Sequence, residues 1–227
     1  MLPLLLVTAC TGRGVDRSDA VPLRAALEIR PIVDGDPFEE VLAETAQGTR
    51  PLPEHVSPYA PLEVEVEHGE LGSPVRPPIP TTRVVASSRA TLEQALRQAG
   101  PVPAGRAVVY EQQPDERWTM LVVDTTEGLV LGPDTGLTLG EGEPGSGYEG
   151  VFLLLPPQDA QTFERLTRDH QGGRLAIIEG DEVLLAPTVQ EPVPGGTVLI
   201  TPGTNDTPAS TFERLAGRPA PAPAEAR

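Results

Sequence analysis

Residues 174–201, RLAIIEGDEVLLAPTVQEPVPGGTVLIT, decide how the rest of the chain is read. Leu175–Ile178 and Val183–Ala186 are two apolar runs around Gly180-Asp181, a pair suited to the positive φ angles of a tight hairpin turn. Pro187 ends the second run, because proline has no N–H to give to a ladder. A proline-bearing excursion then reaches Gly195-Gly196, where the backbone can turn sharply into a third apolar run, Thr197–Thr201. The pattern predicts a small sheet with one elaborate connection.

The flanking segments supply helices for that sheet. Val151–Leu155 is a continuous apolar run, and after two prolines a helix is expected over 158–170, with Ala160, Phe163, Leu166 and Thr167 on one face. A second helix is expected after Thr207 as N-cap and Pro208 in the first turn, with Phe212, Leu215 and Ala216 inward. The pentapeptide TFERL occurs in both, at 162–166 and 211–215, so the two should pack alike. The fold class is therefore α+β: an antiparallel sheet with two helices packed on one face, preceded by a proline-rich, partly disordered region.

Upstream, Leu27 and Ile29, with Ile32 as a further candidate, are placed on one face of a strand or of a short helix-to-strand unit, and Asp36-Pro37 caps a short helix over 38–45. Between 48 and 82 the density of proline leaves little room for regular structure, although LEVEVEHGE at 62–70 alternates like one exposed strand. Its carboxylates Glu63, Glu65 and Glu67 beside His68 lack the interleaved Asp, Asn and Gly of a calcium loop and read as a solvated face. Order resumes with a strand at 83–86, a helix over 91–99 and strands at 107–110, 118–124 and 127–131. Trp118 is assigned to the core or its edge. The glycine-rich acidic stretch 140–150 is not a phosphate cradle, because a strand follows it rather than a helix N-terminus.

Length and composition bound the rest. The chain has 227 residues, 27 of them proline and 23 glycine, with 4% aromatics, which fits one compact domain with appendages. Thirty-three acids against 17 bases give a net charge of −16, which works against nucleic acid and anionic lipid headgroups as partners. Cys10 is the only cysteine, so no internal disulfide is expected, and no cofactor or metal site is assigned. It follows the apolar run MLPLLLVTA, and Val7-Thr8-Ala9-Cys10 resembles a bacterial lipobox; Cys10 is the expected lipid attachment. No other segment has the roughly twenty apolar residues of a spanning helix, so the lipid would be the only membrane attachment.

The domain plan is a lipoprotein-type signal at 1–9, a tether at 10–22, a strand and helix segment at 23–47 and a proline-rich linker at 48–82. A domain at 83–218, with its core at 151–216, and a disordered tail at 219–227 complete it.

The central stretch resembles the head of the periplasmic P1 domain of SecD, the protein-export accessory subunit. Ala176-Ile177, Val183, Ala186-Pro187, Glu191-Pro192, Val193 and Gly195-Gly196 fit that pattern without a gap. Phe163, Leu166-Thr167 and Leu175 fall at its apolar positions, and Leu131-Gly132-Pro133 resembles a segment that precedes the head. Two departures stand out: Gly180-Asp181 replaces the family's Asp-Gly, and the membrane helices of SecD have no counterpart in these residues.

The resemblance implies a non-enzymatic, lipid-anchored envelope protein that binds unfolded or nascent exported polypeptide, or components of the Sec translocon. The alternative is a structural or assembly lipoprotein that reuses the head to dock one envelope partner. Candidate polypeptide-binding residues are Ala186, Pro187, Val189, Pro192, Val193, Gly195 and Gly196, either as an exposed apolar strip or folded back as core. No G-x-S-x-G or H-E-x-x-H motif is present, and His55, His68 and His170 are scattered; His170 is placed at a helix C-terminus as a dipole partner. No enzyme is expected.

Overall fold

The computed structural model describes residues 20–49, 62–73, 76–141, 149–200 and 207–220, with backbone alone at 70–73, 76–80 and 141. The twelve strands and four helices among the described residues are α+β and mostly antiparallel, as the patterning predicts. Two helices on one face is part of the answer; a second sheet and a second helix pair complete it.

The ribbon forms at the expected place. β10 (Leu175–Glu179) and β11 (Glu182–Leu185) pair with Glu179 opposite Glu182, so Gly180-Asp181 is a two-residue loop. Only Gly180 has a positive φ, 69°, which departs from the expectation of positive angles at both residues. That pattern is a type II′ turn, which wants glycine first and accepts aspartate second.

Both faces of the ribbon are buried. Leu175, Ile177 and Leu185 join one core and Ala176, Ile178 and Val183 another. β10 pairs on its outer side with β2 (Leu27–Pro31), and β11 lies parallel to β5 (Arg106–Gln112), which pairs with β6 (Trp118–Asp124). The end of β2 then reaches β6: Ile32 bridges Val123, and the Val33 N–H donates to Val122 O at 2.9 Å. The hydrogen-bonded order β2-β10-β11-β5-β6 thus closes on itself. Its inside is filled by Ile32, Val109, Leu121, Val123, Ala176, Ile178 and Val183, all aliphatic and none aromatic, which suits so narrow a ring. Ile32 faces this interior and Leu27 and Ile29 face outward, because residues 27 and 32 differ by an odd number along a strand of period two. The expectation that all three share one face is corrected.

Two layers cover the ring. On the β5–β6 side, Tyr110, Met120 and Val122 pack under α1 (Pro37–Ala46) and α2 (Arg89–Ala99), which bring Phe38, Leu42, Leu92 and Ala95. On the β10–β2 side lies a four-stranded sheet in the order β1 (Val21–Pro22), β8 (Gly136–Glu141), β9 (Glu149–Leu154) and β12 (Thr197–Ile200). The third apolar run therefore does not extend the ribbon's sheet. It pairs with β9 instead, Val198 opposite Leu153 and Ile200 opposite Val151. α3 (Pro157–Asp169) and α4 (Pro208–Ala216) put Phe163, Leu166, Phe212 and Leu215 into the core that holds Leu175 and Ile177, so both lie on the same side of the ribbon.

The TFERL copies diverge in one residue's use. Arg214 of α4 pairs with Glu179 (3.0 Å) and Glu182 (2.9 Å) across the ribbon turn, whereas Arg165 of α3 is exposed. His170 is the C-cap of α3, as expected, and its Nε2 lies 2.8 Å from Glu127 Oε2.

Four parts of the domain plan need correction. The tether assigned to 10–22 ends in β1, which pairs with β8 and buries Val21. The linker assigned to 48–82 contains β3 (Val64–Ser73) and the start of β4 (Arg76–Ala86), an antiparallel hairpin. Prolines are tolerated in β4 because only Val85 and Ala86 pair on its other side, with β6. Pro77 and Pro78 fall where the register with β3 slips. The boundary at 83 also separates β2 from its neighbour β10, although the two are hydrogen-bonded. At the other end Ala220, assigned to the tail, packs against the core.

The β5–β6 loop holds the one positive φ outside glycine among the described residues, Glu116 at 66°. A side chain there costs free energy that glycine avoids. Glu116→Gly is expected to raise stability by about 1 kcal/mol, read as a higher urea midpoint at unchanged m-value.

Candidate functional site

The sequence marks 186–196, and the structure corrects the expectation that Pro187 ends the ribbon: Thr188 still bridges Arg174 in the register that pairs Ile177 with Leu185, and only after Val189 does the chain turn away, without leaving the core. Pro187 O accepts from Leu175 N at 3.0 Å, Val189 N donates to Gly173 O at 2.8 Å, and Gly172 N donates to Val189 O at 2.8 Å. These bonds satisfy backbone groups that a buried loop would otherwise strand. Val193 N donates to Thr167 Oγ1 at 3.0 Å, while that hydroxyl donates to Phe163 O at 2.9 Å, pinning the excursion to α3.

The excursion closes a cavity of about 20 Å³, room for about one water molecule. Pro187, Val189 and Val193 form its cover, Phe163 and Thr167 its helix wall, and Ile29, Leu175, Ile177 and Val198 its floor. Thr167, Thr188 and the exposed Glu191 line it beside eight apolar residues, so most of its wall suits hydrocarbon.

The candidate residues are therefore not an exposed strip. Val189 and Val193 are 6% and 1% exposed, Pro187 and Gly196 are buried, Ala186 and Pro192 are half-buried, and Gly195 is exposed. The fold-back alternative is the one found: alternate residues of the excursion keep pointing into the core, as they do in the strand before it. Ile29 and Val198, from distant segments, complete the lining and carry no local signal of it. Cys10, the signal segment 1–9 and residues 10–19 of the tether lie outside the described residues, as does His55.

Glu191 is the one ionisable residue that lines the cavity. Arg174 and Asp34 form a buried ion pair, their side chains 8% and 5% exposed. Glu63, Glu65 and Glu67 are exposed, as the solvated-face reading expects, and Arg117 reaches Glu65 at 2.7 Å and Glu67 at 3.4 Å. Among the described residues no group of three His, Cys, Asp or Glu side chains is placed to hold a metal ion. No helix among them is long and apolar enough to cross a membrane.

A layered α+β head with an apolar excursion closing over one helix is the class the geometry defines. Residues 141–215 match the family model of the SecDF P1 head subdomain, and the chain thus carries a SecDF P1 head-like domain. No curated protein sequence matches it. Among solved structures, that of the membrane component SecDF that enhances protein export aligns at 17% identity and a TM-score of 0.31, covering 89% of this chain and 99% of that one. A crystal structure of SecDF in a super-membrane-facing form aligns at 18% identity and a TM-score of 0.34, covering 88% of this chain and 29% of that one.

Gly195 and Gly196 end the excursion with φ of 86° and 70°. A Cβ on Gly196 would lie 2.6 Å from Ala160 Cβ, whereas one on Gly180 would meet nothing within 4 Å. Gly180→Ala is expected to cost about 1 kcal/mol from backbone strain alone. Gly196→Ala adds overpacking against α3 and is expected to cost about 3 kcal/mol. Chemical denaturation of both variants checks the order.

Proposed function

We propose that this protein is a non-catalytic binding module of the cell envelope that works in protein export, holding extended polypeptide at the excursion. The observation that carries the reading is the match of residues 141–215 to the SecDF P1 head subdomain. The solved neighbours support the direction, one being described as a membrane component that enhances protein export. On this reading the domain faces the extracytoplasmic side and is tethered through lipid on Cys10.

The physical route is local. Val189 and Val193 cover an apolar space of about one water's volume, and the cover hangs between Pro187 and the paired glycines. An apolar side chain of an unfolded chain would replace the cover's own contacts while the ring beneath stays intact. Folded proteins keep such side chains inside and offer none.

Binding of the whole chain to one exported protein, held unfolded or folded, tests this by fluorescence anisotropy. The expected result is at least about tenfold tighter binding of the unfolded form, or roughly 1.4 kcal/mol. A photocrosslinker at half-buried Pro192 should capture many different chains in cells. Equal affinity for the two forms overturns the reading, and one stoichiometric partner would favour a docking lipoprotein.

A further inference from the structure

Acidic side chains from the Asp34–Asp36 turn and from α1 converge where the α1–α2 layer meets the ring. Arg106 serves two of the neighbouring acids, donating from Nε to Asp36 and from Nη1 to Asp124, each at 2.8 Å. That leaves the buried Arg174 guanidinium, at the head of β10, facing both Asp34, with which it pairs, and Glu39. Glu39 is on the first turn of α1 and only 6% exposed. Its Oε2 accepts from Gly35 N at 3.1 Å, and the Thr82 N–H of β4 also acts on the carboxyl.

One side chain is thus bonded to the turn that starts α1 and to the β3–β4 hairpin, and lies in the field of the Arg174–Asp34 ion pair at the head of β10. Two buried carboxyls sharing one guanidinium cannot both be charged without cost. Burial pushes the Glu39 carboxyl up, helped by Asp34 and opposed by the two backbone N–H groups and Arg174, to about 7 from an ordinary 4.5. The raised value means that the folded protein favours the neutral acid. Its stabilising contribution is complete below pH 4.5 and is lost as pH rises through about 7.

We propose that Glu39 is a proton-controlled pin: neutral, it holds α1 and the β3–β4 hairpin onto the ring, and ionised, it lets that outer layer loosen while the ring stays folded. The division is local because Glu39 borders the core under α1 and α2, whereas the ring interior and the core under α3 and α4 are separate clusters. Arg174 has its own partner in Asp34, so β10 does not depend on Glu39 for its anchor. This inference does not depend on what the excursion binds.

Hydrogen exchange on the full chain at pH 6 and pH 8, corrected for the intrinsic pH dependence of amide exchange, tests it. Amides of residues 38–46 and 81–86 should lose protection by roughly tenfold at pH 8, while those of 175–178 stay unchanged. Glu39→Gln, neutral at both values, should keep the pH 6 pattern at pH 8. Uniform loss across β10 and α1, no pH dependence in the unmodified chain, or the same dependence in Glu39→Gln would each overturn the proposal.

Discussion

Two-sided burial of β10 is the constraint on which the rest of the structure depends. A strand with one face in a core and one in water needs a single covering layer. Here Leu175 and Ile177 point one way while Ala176 and Ile178 point the other, and each of the four is at most 3% exposed. Two separate layers must therefore be found for one ribbon. One is the ring interior, reached when β2 bends from β10 over to β6; the other is the four-stranded sheet with α3 and α4.

That requirement explains why the chain's first described segment is indispensable to its last third. β2 fills the open side of β10, contributes Leu27 and Ile29 to one core, and delivers Ile32 to the other within a few residues. It also explains the excursion. Past Pro187 the pairing with residues 172–175 runs on to Val189, after which the chain turns away, and the Val193 N–H bonds to Thr167 while both valines fill a buried space. Gly196 then passes close under Ala160, where a side chain would not fit. The candidate site is thus a consequence of packing: a cover that belongs to the core but is held by only a few bonds.

Legibility followed the strength of local patterns. The ribbon, α3 and α4 could be read because apolar periodicity, caps and turn residues agree over short windows; Thr207 and Ser210 form a reciprocal capping box at α4. The β3–β4 hairpin was hidden because proline density argues for a linker unless one knows that one side of β4 is free of partners over most of its length. β8 was hidden because Gly136 and Gly140 stand where a strand normally carries side chains. Phe152 takes the room beside Gly140. The parallel pairing of β11 with β5, the ring closure and the second sheet are long-range outcomes that no window contains. At the site, the sequence marked the right residues for a partly wrong reason: their alternation spoke of burial, which the structure shows, and not of an exposed strip.

The central claim is that residues 20–49 and the ribbon fold as one unit. Its most direct test is the unfolding of a fragment comprising residues 83–220 compared with the whole chain. With β2 absent, the fragment should lack a cooperative urea transition and near-UV signal from Trp118. A fragment that unfolds in a single sharp transition, at a midpoint close to that of the whole chain, would contradict the account.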